Sequence, residues 1–173
     1  GKQPPWSDGR YNSPKYLELA LNDGKCMQTG AQLGPKTGDV STFKTMDDYI
    51  NALVKQMEFG AAEYMAIFNN ENDRYNTQAY SQPYLSCYCK GCIERGLDIR
   101  DNGSVYPSVH GVGCMGIATV VDSLAAIEKV VFIDKIISLS ELKDILISNF
   151  KGYEDIRKIL IDSPKYGNDD DFV

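Results

Sequence analysis

The chain has 173 residues, enough for one domain with a real hydrophobic core. Its apolar share of 43% and charged share of 24% are those of an ordinary soluble globular protein. The net charge of −6, with Lys and Arg scattered, argues against a nucleic-acid surface, and no apolar run is long enough for a membrane span.

Residues 1–12 read as irregular chain, with Pro4-Pro5 and Asp8-Gly9. Ser13 is placed to cap a helix with Pro14 at its first position, running to about Asn22. Gly24 suits the left-handed residue that follows a helix. Residues 24–44, rich in Gly, Thr and Pro, read as a long loop, a feature that is uncommon and often functional. Thr45 and Asp48 make a capping arrangement. From there Ile50, Leu53, Val54, Met57, Ala61, Tyr64, Met65 and Phe68 recur at helical spacing, predicting one long amphipathic helix to about Asn70. A second helix is expected over 84–95, ended by Gly96. Residues 115–131 are apolar nearly all round, which predicts a helix buried on most sides. Residues 130–133 read equally as strand or as its continuation. Ser138 and Glu141 form a capping box for a helix to about Phe150. Tyr153 to Ser163 gives another, with Ile156, Ile159 and Leu160 on one face. Read locally, the chain is mostly helical, with no internal repeat.

Five cysteines, Cys26, Cys87, Cys89, Cys92 and Cys114, make an odd count, and no secretory signal is visible. Reduced cytosolic thiols fit better than a disulfide framework. Cys87-Tyr88-Cys89-Lys90-Gly91-Cys92 is the sharpest local motif, because a two-residue gap lets two thiolates grip one metal. A complete site needs about four ligands, and Cys26, Cys114 and His110 form no second paired motif. The segment reads as helix, where positions 87 and 89 point apart. Buried, inert cysteines on a core helix are therefore expected. Asp122, inside an apolar helix, needs a partner, either a loop or helix end or a proton-transfer role. Glu94 and Glu128 read as ion-paired or exposed. His110, the sole histidine, follows the turn Asp101-Asn102-Gly103 in Tyr106-Pro107-Ser108-Val109-His110-Gly111. Strand alternation puts Tyr106, Ser108 and His110 on one side.

The C-terminal run Pro164-Lys165-Tyr166-Gly167-Asn168-Asp169-Asp170-Asp171 is more than an acidic tail. It resembles the junction from barrel to radical-bearing domain in the glycyl radical enzymes, the pyruvate formate-lyase-like family. Further blocks resemble that family in the same order. They are Leu17-Glu18-Leu19-Ala20-Leu21-Asn22-Asp23-Gly24; Thr29-Gly30 with Gly34-Pro35-Lys36-Thr37-Gly38-Asp39; Cys92-Ile93-Glu94-Arg95-Gly96-Leu97-Asp98; and Gly116 to Ile127.

The resemblance implies an α/β fold, the helix-rich part of a ten-stranded α/β barrel, with residues 1–173 as one domain from its C-terminal part. Short strands are then expected near 26–28 and 104–109. It implies an internal piece of a larger enzyme. The family's catalytic-cysteine loop would stand before Gly1 and its glycyl radical loop after Val173, so the 173 residues alone would be inactive. The parent would be an oxygen-sensitive radical lyase acting on a C–C, C–O or C–N bond of a small molecule. It would be cytoplasmic and homodimeric, with no metal in the barrel, its glycyl radical installed by an S-adenosylmethionine iron–sulfur activating enzyme. Tyr106, Ser108 and His110 would then line the substrate pocket, and Trp6, Asp8 and Arg10 either border it or form a surface turn. Pro107 stands where glycerol-type dehydratases carry asparagine, which counts against a simple diol dehydratase and leaves arylacetate decarboxylases and hydrocarbon-to-fumarate addition open. The rival reading is a non-catalytic helical module with a cysteine-cluster metal site.

Overall fold

The computed structural model describes residues 1–2, 9–74, 81–106 and 112–173. The elements in order are β1 (Gly9–Asn12), α1 (Ser13–Leu21), a 3-10 turn (Val40–Thr42), α2 (Met46–Arg74), α3 (Pro83–Cys87), α4 (Cys92–Arg95), β2 (Val112–Met115), α5 (Ile117–Ile127), a π-helical turn (Glu128–Ile133), α6 (Leu139–Ile147) and α7 (Glu154–Ile161). β1 and β2 pair as a two-stranded sheet. The chain divides into two compact units, one of residues 1–11 and 64–113, the other of residues 12–63 and 114–173.

The second unit is built on apolar stripes. Leu17, Ala20 and Leu21 of α1 meet Tyr49, Ala52 and Leu53 of α2, Ile127 and Val131 of the α5 region, and Leu139 and Leu142 of α6. The Tyr49 hydroxyl donates to the Leu17 carbonyl at 3.0 Å, so the one polar atom of a 1%-exposed ring is satisfied. The expected caps of α2 and α6 form. Asp48 N–H donates to Thr45 Oγ1 at 3.2 Å, while the Asp48 carboxylate accepts from Thr45 N–H at 2.9 Å. Ser138 and Glu141 close the reciprocal box at the start of α6. Gly24 is left-handed at φ 77°.

Several expectations are corrected. Asn12, not Ser13, occupies the cap position of α1; Ser13 lies inside the helix, 1% exposed, its hydroxyl without a hydrogen-bond partner among the described residues. The helix expected over 84–95 is two short helices, because Gly91 at φ 100° turns the chain left-handed between them. The cysteines thus do not share one core helix: Cys87 ends α3 and is exposed, Cys89 lies buried in the turn, and Cys92 opens α4 and is buried. No strand spans 26–28; the loop has only an isolated bridge between Lys25 and Gln32. Residues 104–106 are bends, and 107–109 lie outside the described residues. The strands that do form, at 9–12 and 112–115, had no local signal. α5 is buried only from Ala125 onward, with Ile117 49% exposed, since an all-round apolar helix needs cover on every side and here α1 and α7 pack on it. Residues 130–133 continue as helix, wound as a π turn.

The Ser138 box is local and exposed, which makes it a clean probe of the second unit. Ser138→Ala is expected to lower stability by about 1 kcal/mol, with Ser138→Asp retaining most of it, read as the midpoint of urea denaturation.

Candidate functional site

In the first unit, the segment 98–106 is held by side chains rather than by a ladder. The Asp98 carboxylate accepts from Gln82 N–H at 2.8 Å and Arg100 N–H at 2.9 Å, and has Ser86 Oγ at 2.9 Å. Ser86 Oγ also accepts from Ile99 N–H at 2.9 Å. Burial pushes the Asp98 carboxyl up, but these donors and the nearby Arg100 charge outweigh it and hold it below the usual carboxylate range. The Arg95 guanidinium donates to the carbonyls of Ser104 at 2.7 Å and Asn102 at 3.2 Å. Ser104, fully buried, donates to the Tyr106 carbonyl at 3.1 Å. Tyr106 N–H donates to the Lys2 carbonyl at 2.9 Å, and the Tyr106 side chain is 54% exposed. Tyr106 is therefore a phenol presented on a tied backbone. Ser108 and His110 lie outside the described residues, as do Trp6 and Asp8; Arg10 is exposed.

In the second unit, a cluster forms that single-residue reasoning missed. Lys15 Nζ stands 3.1 Å from Cys26 Sγ and 2.6 Å from Glu18 Oε1, which also accepts from Met27 N–H at 2.7 Å. Hydrogen bonds from Thr29 and from Lys15 bring the Cys26 thiol down to about 7, although it is 5% exposed. Burial disfavours the charge on Lys15, yet its bonds to Glu18 and Cys26 leave it raised. The cluster can hold a thiolate beside an ammonium at neutral pH. Its one readable signal was Lys15 and Glu18 at helical i,i+3 spacing.

The second unit also carries a cavity of about 370 Å³, lined by Asp122 of α5, Leu142 of α6 and Arg157 of α7, with Phe150 and Lys165 from the segments after α6 and α7. Asp122 accepts from Tyr166 N–H at 2.8 Å, the loop partner its position required. Glu94 accepts from Gly91 N–H at 2.9 Å. The letters Gly91-Cys92-Ile93-Glu94 thus close on themselves as a helix start, with Cys92 2% exposed. Burial first, and then the neighbouring Cys89, push the Cys92 thiol up. Among the described residues, no group of three or more His, Cys, Asp or Glu is placed to hold a metal ion, and no helix is long and apolar enough to cross a membrane.

The model of the family described as pyruvate formate lyase-like matches residues 1–173. The chain is similar to (2S)-3-sulfopropanediol dehydratase of Klebsiella oxytoca, 34% identical over 100% of this chain and 21% of that protein. It is similar to isethionate sulfite-lyase of Bilophila wadsworthia, 37% identical over 96% of this chain and 20% of that protein. Among solved structures it resembles the glycerol-bound B12-independent glycerol dehydratase from Clostridium butyricum, with a TM-score of 0.90 and 34% identity over 99% of this chain and 22% of that one. The chain therefore spans about a fifth of the length of these relatives.

Two outcomes follow from the geometry. Lys15→Gln is expected to move the Cys26 titration from about 7 toward the ordinary thiol value, read as thiolate absorbance against pH. Asp98 has a folded value below its unfolded one. Its stabilising contribution is therefore complete above the usual carboxylate range and is lost as pH falls through the lowered value. Asp98→Asn should be less stable at neutral pH and show a shallower fall in denaturation midpoint on acidification.

Proposed function

The chain belongs to the pyruvate formate lyase-like family, and on that footing we propose that the protein carrying it is a glycyl radical lyase. It would be a dehydratase, decarboxylase or related enzyme that breaks a C–C, C–O or C–N bond. The single observation that carries this reading is the likeness along the whole chain, a family match over residues 1–173 with a TM-score of 0.90 to a glycerol dehydratase. We take residues 1–173 as one domain, the helix-rich C-terminal part of a ten-stranded α/β barrel. Two of the relatives named above are dehydratases, which supports C–O cleavage of a small polar substrate. Pro107 separates the chain from the tyrosine–asparagine pattern of the glycerol-type enzymes, so the substrate is set apart from a simple diol. A cytoplasmic homodimer, activated by an S-adenosylmethionine iron–sulfur enzyme, completes the reading.

The glycyl radical supplies hydrogen abstraction through a cysteine thiyl. What this chain contributes is positioning. Tyr106, Ser108 and His110 form part of the substrate wall, two hydroxyls and an imidazole that orient a carboxylate or hydroxyl of the substrate. Orientation decides the outcome because a radical takes the hydrogen nearest to it, and a small displacement costs much of the rate. The support for Tyr106 is its exposed phenol on a backbone fixed at both ends.

His110→Ala and Tyr106→Phe in the full-length protein are expected to lower turnover, on the order of 100-fold for a misoriented substrate, while the glycyl radical signal in electron paramagnetic resonance stays intact. Unchanged turnover, or loss of the radical itself, would remove these residues from the wall. The 173 residues alone are expected to show no lyase turnover, and activity from them alone would overturn the reading.

A further inference from the structure

The paired cysteines of the first unit are absorbed by none of the roles above. Cys89 and Cys92 are 5% and 2% exposed and pack together with Ile99 in a small cluster of their own. Cys92 N–H donates to the Cys89 carbonyl at 3.3 Å, a turn closed across three residues. Such a turn keeps its end α-carbons within about 7 Å, inside the reach of a disulfide. The two thiols are hydrogen-bonded to each other. Gly91 gives the turn its shape at φ 100°, and a β-carbon there would stand 2.8 Å from the Gly103 carbonyl. A cleft of about 280 Å³ lined by Pro83, Ser86, Cys87, Cys92 and Leu97 reaches Cys92 of the pair from outside.

We propose that Cys89 and Cys92 form a thiol–disulfide exchange site whose reagent is a small-molecule disulfide. The thiolate of one cysteine attacks a sulfur of the reagent. This forms a mixed disulfide and expels one reagent thiolate, which takes up the proton released. The second cysteine, deprotonated in turn, attacks the cysteine sulfur of the mixed disulfide, forming the Cys89–Cys92 bond and expelling the second reagent thiol. The cysteine pair loses two electrons and the reagent disulfide gains them. Because burial and the charge of its neighbour hold the Cys92 thiol up, the exchange quickens as pH rises.

The site also has a mechanical output. Lys90, between the two cysteines, accepts from Val105 N–H at 3.1 Å and donates to the Gly1 carbonyl at 2.8 Å. A bond drawn across the turn acts on the backbone from which the Tyr106 segment hangs. The chemistry stands on the cysteine pair, whatever Tyr106 contacts.

The test uses full-length protein treated in its native state with glutathione disulfide, then alkylated and digested with trypsin without reduction. Trypsin cuts after Lys90, so Cys89 and Cys92 fall on different peptides, with Cys87 on the same one as Cys89. The expected result is the Gly91–Arg95 peptide bonded to the peptide ending at Lys90, released by thiol reductant. The link should persist in Cys87→Ser and vanish in Cys89→Ser, and protein unfolded before oxidation should give links through Cys87 as well. The proposal fails if native wild-type and Cys87→Ser protein keep both thiols alkylated. It fails equally if oxidation stops at glutathione on Cys87, or if the link depends on Cys87 rather than Cys89.

Discussion

Gln56 holds the longest irregular stretch of the chain in place. It is fully buried on α2, and its amide nitrogen donates to the Pro35 carbonyl at 2.8 Å and to Thr37 Oγ1 at 3.2 Å. The chain between α1 and α2 has no ladder, so its backbone groups must find partners elsewhere or remain costly. Asp23 takes the amides of Thr37 and Gly38 at 2.7 and 2.8 Å, and Gln32 donates to the carbonyls of Asp23 and Gly34. Gly34 is there because a side chain would run into the Gln56 amide oxygen. That oxygen has no hydrogen-bond partner among the described residues, a desolvation cost tolerated where the rest of the amide fixes a loop.

The first unit solves the same problem with different residues. Asp98, Ser86, Arg95 and Ser104 stand in for a sheet partner around 98–106. Ser86 and Ser104 are buried and Asp98 is partly so, and their bonds are worth more, and their lost partners cost more, than on an open surface. A presented phenol and a cysteine turn both hang on this set.

What could be read from the sequence was what is local in it. The caps at Thr45 and Ser138 work over three residues, and the α2 stripe repeats every turn, so both were legible. Asp122 was legible as a need for a partner, though not as Tyr166, which lies 44 residues away. The break between α3 and α4 was hidden because apolar spacing runs on through it; α3 ends at Cys87, and the left-handed Gly91 starts α4 afresh. The Cys26 cluster needs a loop to fold back onto α1, and four-residue strands that pair across about a hundred residues leave no periodicity to detect. Family resemblance supplied the expectation of a barrel, which local signals, nearly all helical, did not contain.

The π turn at Glu128–Ile133 has a further consequence. Its register shows in Asp134 N–H donating to the Lys129 carbonyl at 2.7 Å, five residues back, with the Lys129–Asp134 ion pair alongside at 2.8 Å. A π turn is an α-helix accommodating one residue too many. Removing that residue would restore regular winding but swing everything after it by about 100°, carrying Val130 or Val131 out of the core they now fill. The surplus residue is thus a spacer that sets the phase between α5 and α6, and the segment tolerates a change of side chain far more readily than a change of length.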